Sequence, residues 1–230
     1  MDASQLAAMI DHTLLKPETT GQQISILCQE AVEFNFATIC INPVWVKLAE
    51  AELRSSSVRV CAPVGFPLGA SLSSIKAAEA DQALSDGAEE IDMVMNIGAL
   101  REGNLHVVEE DIVAVRQAVG KGLLKVIIEA AALNSEQIIS ASRIAMISGA
   151  DYVKTSTGFH PSGGATVEQV KLIREAIGTR ARIKAAGGIR NLATALSLIE
   201  AGADRLGTSS GVSIIQEMER PQQRPAQPSG

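Results

Sequence analysis

Short β-like runs alternate with helical stretches along almost the whole chain, and this alternation constrains the fold more than any other feature. The runs are Asp11–Leu15, Phe36–Ile41, Val58–Ala62, Glu90–Met95, Leu124–Glu129, a run ending at Lys154, one through Lys184, and Arg205–Ser210. Most are continuously apolar, as expected of parallel strands covered on both faces. Between them, apolar residues recur at helical spacing over Thr20–Phe34, Val44–Leu53, Ser71–Ser85, Leu105–Val119, Ser135–Ser148, Thr166–Ile177 and Leu192–Glu200, and a short helix runs through Met218. Ser4–Ile10 reads as a leading helix, with Ser4 and Ser135 as expected N-caps. The phrases Asp86-Gly87-Ala88, Ser148-Gly149-Ala150 and Ala201-Gly202-Ala203 read as helix C-caps turning into the next strand. About eight strand–helix units in 230 residues fit a single α/β domain, a (β/α)8 TIM barrel, better than an open doubly wound sheet. The domain is expected to span 1–218, with a disordered tail over 219–230, where apolar periodicity is lost.

Three polar residues interrupt the apolar runs: Lys154 after Tyr152-Val153, Lys184 after Arg182-Ile183, and Asp92 inside Ile91–Met95. A buried lysine is rare unless it is paired or at work. In a (β/α)8 barrel these positions, with Asp11 and Glu129, converge at the C-terminal mouth of the strands, where such barrels place their active sites. Two lysines at adjacent strand ends could stand about 5 Å apart and repel by roughly 3 kcal/mol at an effective dielectric near 20. That would lower one ammonium pKa by about 2 units and yield an amine nucleophilic towards carbonyls. Asp92 would offset part of the charge and carry protons. A purely structural Lys–Asp–Lys ion network is the other reading of the same residues.

Glycines Gly158, Gly187, Gly188 and Gly207, with Ser209 and Ser210, follow the last three strands. Loops there, next to a helix N-terminus, commonly hold a phosphate in this architecture. A carbonyl substrate bearing a terminal phosphate follows from the two groups together.

Composition narrows the rest. The net charge of −6 and the 3% aromatic content give no footprint for nucleic acid. No apolar run reaches membrane-spanning length, and no signal peptide is evident. Cys28, Cys40 and Cys61 are odd in number and in apolar surroundings, which suggests reduced thiols in a cytoplasmic protein. His12, His106 and His160 are too far apart in sequence to form a zinc-type cluster with them.

The chain resembles the deoxyribose-phosphate aldolases, class I aldolases on a (β/α)8 barrel. The matching stretches are Asp11–Pro17, Val64–Gly69, Glu90–Gly98, Lys125–Glu129, Val153–Phe159, Lys184–Arg190 and Arg205–Gly211, in family order from about residue 10 to 214. The resemblance implies reversible cleavage of 2-deoxy-D-ribose 5-phosphate to acetaldehyde and D-glyceraldehyde 3-phosphate, with small phosphorylated sugars and aldehydes as partners. Lys154 stands at the Schiff-base position, Lys184 at that of the perturbing second lysine, and Asp92 at that of the proton-relay carboxylate. Asp11, Thr13, Cys40 and Thr157 match pocket positions. Gly158, Gly187, Gly188, Gly207, Ser209 and Ser210 match the phosphate cradle. The resemblance implies no metal or cofactor, a homo-oligomer with a dimer favoured, and a place in nucleoside catabolism. Ala130 and Ala186 depart from the more usual Thr and Ser, and the tail lacks the tyrosine that some members carry. A catalytically silent phosphate-sugar binding barrel and a Schiff-base aldolase for another substrate are the alternatives.

Overall fold

The structure, a computed structural model, describes residues 1–220. Eight parallel strands close into a barrel in sequence order: β1 (Ile10–Leu14), β2 (Thr38–Ile41), β3 (Arg59–Val64), β4 (Glu90–Val94), β5 (Leu123–Ile127), β6 (Tyr152–Lys154), β7 (Arg182–Ala186) and β8 (Arg205–Thr208). Closure is made by β8 on β1, with Leu206 opposite Ile10 and Gly207 opposite Asp11. Parallel neighbours require a crossover, and a helix supplies each one. Around the barrel lie α2 (Gly21–Glu33), α3 (Val46–Leu53), α4 (Ser73–Ser85), α6 (Leu105–Val119), α7 (Ser135–Ile147), α8 (Val167–Ile177), α9 (Leu192–Glu200) and α10 (Gly211–Glu219). The leading helix α1 is Ala3–Ala7, and a further short helix, α5 (Ile97–Arg101), follows β4; at little more than one turn, α5 is too short to show a helical period.

Two caps differ from expectation. Asp2, not Ser4, caps α1, and Asn134, not Ser135, caps α7. In each case the residue three positions into the helix is a glutamine, Gln5 or Gln137, whose side chain returns to the cap backbone. Satisfying two orphan donors at once selects that register. The final helix continues to Glu219, so the expected tail begins inside it. Residues 221–230 lie outside the described residues.

Side chains alternate along each strand. The outward set, including Ile39, Val60, Ile91, Met93, Val126, Val153, Ile183 and Leu206, packs with the helices into the main apolar core. The inward set carries the charged residues, and pairing brings them level: Asp92 opposite Lys125, Lys154 opposite Lys184, Lys184 opposite Arg205. Beside the barrel, Lys76 of α4 is fully buried; its Nζ donates to Asp111 Oδ2 at 2.6 Å and to the Val94 carbonyl at 2.9 Å. The same Asp111 oxygen accepts the Asn96 N–H at 3.0 Å, which fixes the end of β4 just beyond Asp92.

At the other end of the barrel one latch occurs twice. Arg116, at the end of α6, donates to the carbonyls of Gly120, Gly122 and Gly149 and to Asp151, whose carboxylate also accepts the Leu124 N–H. Arg174, at the end of α8, makes the corresponding bonds to Gly178, Ala181, Gly202 and Asp204, and Asp204 accepts the Ile183 N–H. Gly149 and Gly202, as expected of C-cap positions, have φ of 93° and 116°. Arg116→Ala and Arg174→Ala should each cost about 2 kcal/mol of stability, near-additively because the sites are separate, while turnover at the opposite end is kept. Thermal melts with parallel assays check this. Lost activity with an unchanged melt would contradict it.

Candidate active site

Inward side chains of four other strands meet at one carboxylate of β4. Asp92 Oδ2 accepts from Lys154 Nζ at 2.8 Å and from Lys184 Nζ at 2.7 Å. Its Oδ1 accepts from Lys125 Nζ at 2.9 Å and from Cys61 Sγ at 3.1 Å. Asp11 lies beside it, 2.5 Å from Lys184 Nζ and 2.7 Å from the Arg205 guanidinium. Below, Glu90 lies 2.5 Å from Lys125 Nζ. All seven ionisable groups in this cluster are buried.

Asp92, Lys154 and Lys184 thus converge as expected, but the two lysines do not simply face one another. Both donate to the same oxygen of Asp92, so the expected bare repulsion is bridged. Burial disfavours the Lys184 ammonium, yet Asp11 and Asp92 outweigh it and its pKa is raised. Lys125 is likewise pushed well up, its burial overcome by Asp92, Cys61, Asp11 and Glu90. The Asp92 carboxyl is opposed by burial but is held well below the usual range by Lys125, Lys154 and Lys184. Asp11 is lowered in the same way by Lys184, Lys125 and Arg205.

Above the cluster a cavity of about 420 Å³ opens at the C-terminal ends of the strands. Of the seven charged groups only Lys154 lines it. Thr13, Thr157, Gly158, Gly187, Gly188, Gly207 and Ser209 line it as expected. Asp11 and Cys40 do not; both are fully buried, Asp11 behind Lys184 and Cys40 in a small apolar group with Leu15, Cys61 and Phe66. Ser210 is also outside the lining, and its N–H donates to Thr208 Oγ1 at 2.9 Å. Glu129 turns away from the lysines: at φ 52° it presents its carboxylate to Thr157, accepting the hydroxyl at 2.5 Å. Gly187 must be glycine, since a Cβ there would come within 2.9 Å of Gly164 Cα.

Three residues of the cluster, Glu90, Lys125 and Arg205, were not among the expected site residues. Lys125 carries no glycine signal on its own strand, and its register opposite Asp92 shows that it points into the barrel. The cavity also gains two cations, Lys16 and Arg190, both exposed. The donor atoms of Cys40, Cys61 and Asp92 lie within 4.8 Å of one another, but both Asp92 oxygens are already committed to hydrogen bonds from cations and a thiol.

Fold and site define a (β/α)8-barrel enzyme built around a lysine at the floor of its mouth cavity. The sequence model of the DeoC/LacD family aldolases matches residues 5–217. The chain belongs to this family and is an aldolase. It is 53% identical over 206 residues to a deoxyribose-phosphate aldolase of Brevibacillus brevis, covering 90% of this chain and 93% of that one. Among solved structures it superposes on an aldolase designated QR15 with a TM-score of 0.88 and 42% identity, covering 92% and 95% of the two chains. A deoxyribose phosphate aldolase from Aeropyrum pernix, described as tetrameric, gives a TM-score of 0.88 at 29% identity over 95% and 92%.

The stabilising charges predict a pH profile. Asp11 and Asp92, with lowered pKa values, contribute fully above about pH 4 and lose that contribution as pH falls through their folded values. Lys125 and Lys184, with raised values, contribute below about pH 10 and lose it as pH rises through theirs. Urea denaturation at stepped pH should give a plateau between these limits. Asp92→Asn should lower that plateau by about 3–5 kcal/mol, because it leaves buried ammoniums unmatched. Unchanged stability would mean that Asp92 does not hold the lysines.

Proposed function

We propose that the chain reversibly cleaves 2-deoxy-D-ribose 5-phosphate to acetaldehyde and D-glyceraldehyde 3-phosphate through an imine on Lys154. The observation that carries this is that Lys154 alone brings a cluster amine into the cavity, hydrogen-bonded to a carboxylate that it shares with Lys184. In its neutral form Nζ adds to the C1 carbonyl, and loss of water gives an iminium. The C3 hydroxyl proton leaves as the C2–C3 bond breaks, and the bonding electrons move into the iminium as an enamine. Protonation of the enamine and hydrolysis release acetaldehyde. Asp92 and Lys184 are the proposed proton carriers, since their hydrogen bonds connect Lys154 to the cluster.

The substrate reading rests on the other end of the cavity. Gly158, Gly187, Gly188 and Gly207 leave backbone approachable, Ser209 adds a hydroxyl, and α10 begins two residues later. Lys16 and Arg190 add positive charge, and among the described residues no carboxylate lines the cavity. On a chain of net charge −6, that pocket suits a phosphate monoester. The names of the close relatives point to the same substrate. A cytoplasmic setting is proposed from the three free, buried cysteines. A homodimer is proposed by family likeness, with light scattering as its check.

Borohydride reduction in the presence of acetaldehyde should leave an ethyl group on Lys154. An adduct on Lys184, or none, would overturn the assignment. Lys154→Ala should fold and lose roughly three orders of magnitude or more in kcat/KM. Ser209→Glu should weaken the phosphorylated substrate about tenfold more than unphosphorylated deoxyribose, and equal losses would place the phosphate elsewhere.

A further inference from the structure

The buried cluster is not charge-balanced. It holds three carboxylates, Asp11, Glu90 and Asp92, and four cations, Lys125, Lys154, Lys184 and Arg205. The cations are unequally paired. Lys125 Nζ lies 2.5 Å from Glu90, 2.9 Å from Asp92 and 3.8 Å from Asp11. Lys184 Nζ lies 2.5 Å from Asp11 and 2.7 Å from Asp92. Arg205 lies 2.7 Å from Asp11 and 3.9 Å from Glu90. Lys154 has Asp92 alone. Glu90 and Lys125 are fully buried, line no part of the cavity and have no place in the proposed bond-making steps. A buried ion pair is weak evidence of stabilisation, so their place here calls for another reason.

We infer that Lys125 and Glu90 are positioning residues for the imine-forming amine, acting through Asp92 and through the charge of the cluster. Lys125, with Cys61, pins Asp92 Oδ1, which leaves Oδ2 to Lys154 and Lys184. Lys154 is the cluster cation with the fewest carboxylates, and without its charge three cations face three carboxylates. Glu90 sets where that balance falls. The remaining groups facing the cluster leave the count unchanged. Arg59 reaches Glu90 at 3.1 Å but is half exposed and screened by solvent. Cys40 and Cys61 contribute thiols, and Tyr152 lies between the guanidiniums of Arg182 and Arg205. Glu129 is turned to Thr157, and Lys16 is exposed at the rim.

This inference rests on the imine reading, and the two fail differently. The readout is the pH at which initial borohydride trapping of acetaldehyde on Lys154 is half-maximal, followed by mass mapping. Lys125→Met removes a positive charge, favours the ammonium of Lys154 and should move that pH up by about one to two units. Glu90→Gln removes a negative charge and should move it down by a similar amount. The double variant should return close to the parent, and Lys125→Arg should stay close to it. Circular dichroism and melting temperature confirm that each variant is folded. If Lys125→Met does not fold, the downward move of Glu90→Gln and its reversal in the double variant still decide the sign. No movement in folded variants, or movement in one direction for both single variants, would overturn the inference. A merely structural role lowers the melting temperature without opposite pH displacements. Absence of any Lys154 adduct in the parent at any pH would sink the imine reading instead.

Discussion

One carboxylate organises the interior of this barrel. Asp92 accepts hydrogen bonds from three ammoniums and a thiol, contributed by four other strands. Without it, Lys154 would be left with no carboxylate, and Lys125 and Lys184 would keep only Glu90 and Asp11 against four buried cations, a costly imbalance. With it, the lysines are held at defined positions, and one of them reaches the cavity. The external support of β4, through Asp111, Lys76 and Asn96, bears on the same residue, because it fixes the strand end that carries Asp92. Stability and chemistry therefore share a single group, and a change at Asp92 acts on both.

The architecture was legible in the sequence because each strand–helix unit repeats the same local grammar: a short apolar run, a helical period, a glycine to end the helix. All eight expected runs became strands, and where both ends were expected they shift by two residues at most. Asp92, Lys154 and Lys184 stood out because each interrupts an apolar run. Lys125 interrupts its run just as plainly, at Leu123-Leu124-Lys125-Val126-Ile127, and lies as far along β5 as Asp92 does along β4, so parity alone decides there between core and interior. Glu90 and Arg205 begin their strands and resemble solvent-facing ends. Parity within one strand is a local property, whereas the pairing of Asp92 with Lys125 across β4 and β5 is a global one. Asp11 and Cys40 were expected to line the pocket, whereas both lie fully buried outside its lining. How deep they lie was not readable, since depth depends on the barrel's stagger.

The two ends of the cavity use different physics. At the floor, groups are desolvated and interact strongly through short hydrogen bonds. At the rim, glycines, Ser209 and the exposed cations Lys16 and Arg190 meet solvent, where a charge is worth less but an ion can be recruited from a distance. An anionic substrate with its carbonyl at one end and its phosphate at the other matches this division, and its length would set the register of the carbonyl over Lys154.

The twin arginine latches bear on how the chain could be rearranged. Each binds the end of one helix, the start of the next strand and the turn into the strand after it, so β5–β6 and β7–β8 are separately fastened modules. New termini opened within 120–122 or 178–181 would sever a latch from its own loop. New termini opened between α3 and β3 would leave both modules whole. The least damaging seams for circular permutation, or for exchanging quarters with related barrels, therefore lie between latches, on a face that takes no part in the chemistry.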